Sequence, residues 1–282
     1  MVETMSWLQA IVLGISQGLT EFLPISSSAH EMIINHLLGW KDGGAAFTAF
    51  TQIGTELAVI IYFRKDLVSI LTTWLRSLVN KELRSDPQAR MAWYVILGTI
   101  PIAVFGVVFK DIIETDLRNL WIVSATLIGL GLVLLAAEKM AKHERTDEDI
   151  TTKRALGFGF AQALALIPGV SRSGGTISAG LFMGFKRDVA ARYSFLLAIP
   201  AVVSSALLEI PKISDAPLPT EVATNWPATF VATGVAFVIG YLVIAQLMKY
   251  LATKTFVPFV IYRVALGVVL IGLLASHQII AS

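Results

Sequence analysis

Residues 14–30 read GISQGLTEFLPISSSAH, and this stretch decides the fold because it breaks an apolar segment at a proline followed by three serines. Residues 159–176, GFAQALALIPGVSRSGGT, contain a second break of the same kind. Proline stops a helix and serine caps the next one. The pattern predicts two re-entrant helix pairs, at about 6–39 and 155–185, each of which enters a membrane, breaks and leaves on the same side.

The composition places these helices in a membrane. The chain has 282 residues, of which 55% are hydrophobic and 15% charged, too apolar for a soluble domain of this size. A spanning helix needs about 20 apolar residues. Six stretches have that length: 45–63, 91–109, 119–137, 193–210, 227–248 and 257–276. We therefore expect an all-α polytopic membrane protein, a single domain over residues 1–282 with six transmembrane helices and the two re-entrant pairs.

Charge and cysteine content exclude several classes of function. The chain has no cysteine, which excludes disulfides, thiolate metal sites and a cysteine nucleophile. A net charge of +2 does not suggest a nucleic-acid partner. No Lys or Arg precedes Lys41, so the basic region of a cleavable signal peptide is missing and we expect the first apolar segment to be retained.

The basic residues predict an orientation. If residues 64–90 form a cytoplasmic loop, sixteen of the 22 Lys and Arg residues lie in cytoplasmic segments, and Arg172 and Arg263 lie within the membrane. The outer segments carry only four: Lys41, Lys110, Arg118 and Lys212. This asymmetry satisfies the positive-inside rule and places both termini outside.

A weak internal repeat agrees with that orientation. A Gly-x-x-Gln motif formed by Gly14 and Gln17 precedes the first break, and Gly159 and Gln162 form the same motif before the second. Two such units that enter from opposite faces form an inverted-topology repeat, with a site near the midplane. The alternative is that this short spacing recurs by chance in apolar sequence.

The first break carries an acid, hydroxyls and an imidazole. Gln17 and Glu21 share a helix face, and a carboxylate among apolar residues is a functional candidate. His30 lies one turn after Ser27, near enough to exchange a proton. The blander alternatives are an interfacial acid, N-capping serines and a histidine bonded to backbone. The serine run comprises Ser26, Ser27 and Ser28.

The second break supplies a fixed positive charge. Arg172 lies between two short apolar helices, too deep to reach the interface easily, and its guanidinium can bind phosphate through two parallel hydrogen bonds. Glycines that follow it let backbone N–H groups approach an anion. Together the two breaks predict a site for phosphoryl transfer. Two further charges at membrane depth, Glu56 and Arg263, are expected to have structural roles and to be neutralised within the bundle, with each other as one option.

Both breaks resemble signatures of the BacA/UppP undecaprenyl-pyrophosphate phosphatases, over residues 17–30 and 168–176, and the layout matches from end to end. The resemblance implies hydrolysis of undecaprenyl pyrophosphate to the monophosphate lipid carrier of peptidoglycan synthesis, bacitracin resistance, and a divalent cation, Mg²⁺ or Ca²⁺. It also implies a bacterial plasma membrane location with the site on the periplasmic side. The partners are then the lipid substrate and membrane lipids; a homodimer stays open.

The resemblance also implies residue roles. Glu21 is the essential acid and, with Gln17, a metal-ligand candidate; Ser27 is the nucleophile, His30 an assisting acid or base, and Arg172 the phosphate clamp. The remaining substrate-binding candidates are Gln17, Ser26, Ser28, Ser171, Ser173, Gly174 and Thr176.

Three positions depart from the family pattern. Gln17 stands where many members carry Glu, which argues against a two-carboxylate metal site; Ala29 replaces a glycine, and Glu31 replaces an apolar residue. Metal-activated water remains an alternative attacker to Ser27. A transporter or flippase of polyprenyl phosphate lipids is the alternative function. A structural membrane subunit would not bury Glu21 and Arg172.

Overall fold

The computed structural model describes residues 4–109, 112–113, 117, 119–209 and 221–280. Lys110, Arg118 and Lys212, used above to orient the chain, lie outside the described residues. The helices that we label are, in chain order, α1 (Trp7–Thr20), α2 (Ser27–Leu38), α3 (Gly44–Tyr62), α4 (Arg64–Val79), α5 (Pro87–Val108), α6 (Leu120–Met140), α7 (Thr152–Ala163), α8 (Arg172–Phe182), α9 (Arg187–Glu209), α10 (Trp226–Leu251) and α11 (Val257–Ala275).

Six of these helices are long and apolar enough to cross a membrane, which confirms the predicted spans: α3, α5, α6, α9, α10 and α11. Their outer faces carry large apolar side chains exposed to the surroundings, such as Val107, Leu207 and Ile261. Lipid tails can solvate such faces, whereas water cannot do so cheaply. The chain is therefore a multi-pass, all-α membrane protein.

Residues 64–90, interpreted from sequence as a loop, contain the helix α4 and a 3₁₀ turn at Lys81–Ser85. Helix α4 is amphipathic: Val68, Leu71 and Leu75 are exposed on it beside charged residues. Its Trp74 packs edge-on against Trp93 of α5, with ring centroids 5.7 Å apart. A helix of this kind suits the membrane interface rather than the hydrocarbon core.

The four remaining helices are short and come in two pairs. Helices α1 and α2 have 14 and 12 residues, and α7 and α8 have 12 and 11. At about 1.5 Å per residue, none reaches across a hydrocarbon core of about 30 Å. Each pair is interrupted where the sequence predicted a break.

Each pair packs against a long helix from the other half of the chain. Helix α1 contacts α10, and α7 contacts α5. The glycines of the predicted repeat make this approach possible: a Cβ on Gly14 would meet the carbonyl of Ala232, and a Cβ on Gly159 would meet that of Gly98. Helices α3 and α9 pack together, as do α6 and α11, and Arg172 of the second break bonds Glu21 of the first.

Candidate active site

The two breaks have the same backbone geometry. Ser26 and Ser171 are the N-caps of α2 and α8, and each has a positive φ, 73° and 70°. Each cap oxygen accepts from the N–H three residues on, at 3.3 and 3.1 Å. Each also lies near the serine two residues on: Ser28 at 3.2 Å and Ser173 at 3.1 Å. A positive φ is costly for serine, and the cap hydrogen bonds offset that cost.

One carboxylate joins the two breaks. The Oε2 atom of Glu21 accepts from the Ser27 hydroxyl at 2.7 Å and from the Gln17 amide at 2.9 Å. Its Oε1 atom accepts from Nη2 of Arg172 at 2.6 Å, although 151 residues separate the two. The predicted shared face of Gln17 and Glu21 is confirmed, and the acid, the hydroxyl and the guanidinium form one hydrogen-bonded unit.

Glu56 also belongs to this site, which the sequence did not reveal. Its Oε1 atom accepts from Nη2 of Arg172 at 2.8 Å, and its side chain is only 2% exposed. Within the described part of the chain, Oε2 of Glu56 and Nη1 of Arg172 have no hydrogen-bond partner. Because buried polar groups are nearly always bonded, these two atoms are the ones in the site that can still bond a ligand.

The suggested pairing of Glu56 with Arg263 is wrong. Arg263 is fully buried on α11 and donates to five backbone carbonyls, at 2.9 to 3.3 Å. Two of the acceptors lie on α6, one precedes the Ser26 cap and two precede the Ser171 cap; in that order they are Thr126 and Leu127, Pro24, and Gly169 and Val170. Carbonyl dipoles solvate the guanidinium here, and a sequence pattern does not reveal main-chain acceptors.

His30 lies at the edge of the site with both ring nitrogens bonded. Nδ1 is 2.7 Å from the carbonyl oxygen of Ser26, and Nε2 is 2.7 Å from the hydroxyl of Tyr262. No hydrogen bond joins the His30 ring to Ser27 in the regions that the structure describes. Tyr262 was not identified from the sequence as a site residue. The signal that could have indicated it is the pair of polar residues Tyr262 and Arg263 within the last apolar span.

The other substrate-binding candidates differ in what they contact. Ser173 donates to the carbonyl of Leu23 at 3.1 Å and so links the breaks. The backbone N–H of Gly174 donates to the hydroxyl oxygen of Ser171, which caps the helix. Thr176 is buried, and its hydroxyl donates to the carbonyl oxygen of Arg172 and also lies within hydrogen-bond distance of the Ser194 hydroxyl. The Gly174 N–H and the Thr176 hydroxyl are therefore bonded within the protein and are not directed at a substrate.

Two departures from the family motif also have partners. Ala29 is fully buried, and its N–H donates to the cap oxygen of Ser26. Glu31 accepts from the hydroxyl of Thr48 on α3 at 3.0 Å. This bond ties α2 to α3.

The site offers oxygen ligands to a cation. Within the described ranges no group of three His, Cys, Asp or Glu residues could hold a metal ion. The available oxygens come from Glu21, from the unpartnered Oε2 of Glu56 and from the amide oxygen of Gln17. Mg²⁺ and Ca²⁺ prefer such hard oxygen ligands, and substrate phosphates often complete their shell.

Known proteins match this chain along almost its whole length. A family model described as "Bacitracin resistance protein BacA" matches residues 10–269. An undecaprenyl-diphosphatase of Renibacterium salmoninarum is 53% identical over 278 residues, 99% of each chain. Undecaprenyl-diphosphatase 2 of Streptomyces avermitilis is 52% identical and covers 96% of each chain. An undecaprenyl-diphosphatase of Thermobifida fusca is also 52% identical, over 96% of this chain and 91% of its own.

Proposed function

The chain belongs to the BacA family, and from that premise we propose that it is an undecaprenyl-diphosphatase. It hydrolyses undecaprenyl pyrophosphate to undecaprenyl phosphate and inorganic phosphate, which recycles the lipid carrier of peptidoglycan synthesis and accounts for bacitracin resistance. The observation that carries the proposal is the Glu21 carboxylate, which holds the Ser27 hydroxyl on one oxygen and Arg172 on the other.

In the proposed reaction Ser27 is the nucleophile and Glu21 its base. The serine hydroxyl already donates to Glu21, whereas both ring nitrogens of His30 are bonded elsewhere. As Oγ attacks the terminal phosphorus, its proton passes to Glu21 and the bond to the bridging oxygen breaks. Undecaprenyl phosphate leaves; water then hydrolyses the phosphoserine, releasing inorganic phosphate and restoring Ser27.

Arg172 and the two helix N-termini bind the transferring phosphoryl group. Nη1 of Arg172 is buried and has no hydrogen-bond partner among the described residues, so it is ready to donate to a phosphate oxygen. Helix α2 begins at Ser27 and α8 at Arg172, and the first N–H groups of a helix have no carbonyl within it. Such N–H groups and the positive end of the helix dipole stabilise anionic charge.

Glu21, Gln17 and Glu56 would hold a divalent cation, Mg²⁺ or Ca²⁺. Their oxygens fit this ion, and the unpartnered Oε2 of Glu56 supports the assignment. When bound, the cation would neutralise phosphate charge and make the leaving group easier to expel. Glu56 thereby restores the second carboxylate that Gln17 lacks.

We place the site on the periplasmic side of the bacterial plasma membrane, with α1–α2 and α7–α8 as re-entrant pairs of an inverted repeat and both termini outside. The matching caps at Ser26 and Ser171 and the reciprocal packing of each pair support the repeat. The sequence distribution of basic residues supports the orientation.

Phosphate release from undecaprenyl pyrophosphate by purified protein in detergent, with and without EDTA, tests this function. We expect release that EDTA suppresses and Mg²⁺ or Ca²⁺ restores. A protein that only transports the lipid would release no phosphate.

A quenched single turnover with substrate labelled in the terminal phosphate tests the nucleophile. We expect labelled phosphoserine on the unaltered protein and none on Ser27→Ala. A partial loss of activity in Ser27→Ala would mean that Ser27 only positions the phosphate, and a rate no slower than those of Ser26→Ala and Ser28→Ala would reject Ser27 as the nucleophile and leave water to attack.

A further inference from the structure

We propose that Tyr262 is a positioning residue for the reaction, whose hydroxyl and ring hold the His30 imidazole with its proton on Nδ1 and its lone pair on Nε2. This inference rests on the proposed function for its kinetic consequence, because it assumes that His30 acts in hydrolysis. The contact itself is a property of the folded chain and can be tested without turnover.

The hydrogen bonds of His30 define its tautomer. The carbonyl oxygen of Ser26 can only accept, so the ring nitrogen 2.7 Å from it, Nδ1, carries the hydrogen. In a neutral imidazole Nε2 is then an acceptor, and the hydroxyl of Tyr262, also 2.7 Å away, donates to it. Tyr262 therefore favours the tautomer of His30 that carries its hydrogen on Nδ1.

The rings of His30 and Tyr262 also restrain one another. They are nearly parallel, 7° apart, with centroids separated by 5.6 Å. A ring held at both nitrogens and along one face has little freedom to rotate, and positioned side chains act faster than mobile ones. The bond spans 232 residues of chain, so the last spanning helix orients a side chain of the first break.

His30 and Tyr262 both line an apolar groove beside α1, and Tyr262 remains 44% exposed. Val12, Ile15 and Leu19 line the groove. A prenyl chain lying in it would pass beside both rings, and Tyr262 would keep the imidazole from swinging into the groove.

The decisive comparison is between Tyr262→Phe and Tyr241→Phe. The first change removes the hydroxyl and keeps the ring; the second removes a phenol hydroxyl from α10, where Tyr241 packs edge-on against Tyr62. We expect Tyr262→Phe to lower kcat about five- to tenfold, the loss of one neutral hydrogen bond, with KM little changed. Tyr241→Phe should behave like the unaltered protein.

Nitrogen NMR of ¹⁵N-histidine protein in detergent provides the readout that a general loss of structure would not mimic. The chain has four histidines, and His30→Gln identifies the His30 signals. In Tyr262→Phe, the Nε2 signal should move toward the value of an unbonded ring nitrogen, while Nδ1 remains protonated. In Tyr241→Phe both signals should stay in place.

Tyr262→Leu separates the ring from the hydroxyl. Because the ring also restrains His30, this variant should lower kcat at least as far as Tyr262→Phe, and if the ring borders the prenyl chain it should in addition raise KM. An unchanged Nε2 signal in Tyr262→Phe together with kcat within about twofold of normal would overturn the proposal. Full activity of His30→Gln would reject the kinetic role, and failure of the unaltered protein to release phosphate would reject the hydrolase function while the NMR result stands.

Discussion

The two helix breaks use one backbone device for two different kinds of chemistry. In each, a serine with positive φ caps a short helix, and a glycine upstream lets the preceding helix touch a backbone from the other half of the chain. The first helical residue differs: Ser27 in one break and Arg172 in the other. The shared geometry brings two helix N-termini together, and a difference at a single position places a hydroxyl at one and a guanidinium at the other, which the proposed reaction uses as nucleophile and phosphate clamp.

The upstream glutamines show the same divergence. Gln17 donates to Glu21, whereas Gln162 is fully buried and neither of its amide atoms has a hydrogen-bond partner within the described residues. The corresponding position to Glu21 in the second break is the apolar Leu166. The first break therefore has both the Glu21 carboxylate and the Gln17 amide that orients it, whereas the second has only the Gln162 amide.

Loss of the carboxylate that joins the breaks should have the largest effect. Glu21→Gln keeps the size of the side chain but removes the base for Ser27 and the charge that holds Arg172. We expect kcat to fall at least about 10³-fold, with the protein still inserted and monodisperse. Phosphate release in detergent measures it. Gln17→Glu is the matched control and should be tolerated; ordinary metal-dependent activity of Glu21→Gln would remove Glu21 from the mechanism.

Substitution of Arg172, the proposed phosphate clamp of the second break, should have the second-largest effect on kcat. Arg172→Lys keeps the charge but loses the planar guanidinium, which bonds Glu21 and Glu56 and leaves Nη1 for substrate. We expect kcat to fall about 10²–10³-fold, the loss of one strong transition-state contact. Arg172→Ala should be at least as slow. Hydrolysis by Arg172→Lys at a near-normal rate would contradict the clamp.

The glutamine pair should respond in opposite ways. Gln17→Met removes the donor that orients Glu21, and we expect kcat to fall about tenfold. Gln162→Met replaces an unbonded buried amide with an apolar side chain of similar size, which should raise the free energy of unfolding by about 1–2 kcal/mol without changing kcat. Thermal unfolding in detergent, followed in parallel with phosphate release, separates the two. Destabilisation by Gln162→Met would show that this amide is bonded after all.

The smallest effects should come from the caps, where the breaks are most alike. Ser26→Ala and Ser171→Ala each remove a cap hydrogen bond and keep the positive φ, so each should lower the free energy of unfolding by about 1–2 kcal/mol. Glycine at the same positions loses the cap but tolerates the backbone, and should cost less. Thermal unfolding in detergent of all four variants gives the ranking. Unequal costs at the two positions would show that the caps are not equivalent.

The comparison also explains what the sequence could predict. Helix breaks and spans depend on hydropathy, proline and serine, and the serines after Pro24 and Pro168 predicted both caps. The join between Glu21 and Ser27 was within reach because the two are six residues apart. The partner of Glu56 could not be predicted, because α3 meets α8 only through tertiary packing. Charge alone suggested Arg263, whereas the structure pairs Glu56 with Arg172.

Arg263 has a consequence for biosynthesis. It bonds the carbonyl of Pro24, 239 residues earlier in the chain, as well as Gly169 and Val170 at the second break. A nascent chain emerges from its N-terminus, so both breaks reach the membrane before the helix that secures them. Until α11 inserts, these carbonyls lack the guanidinium that bonds them. We therefore expect both breaks to reach their final geometry only after the last spanning helix is in place.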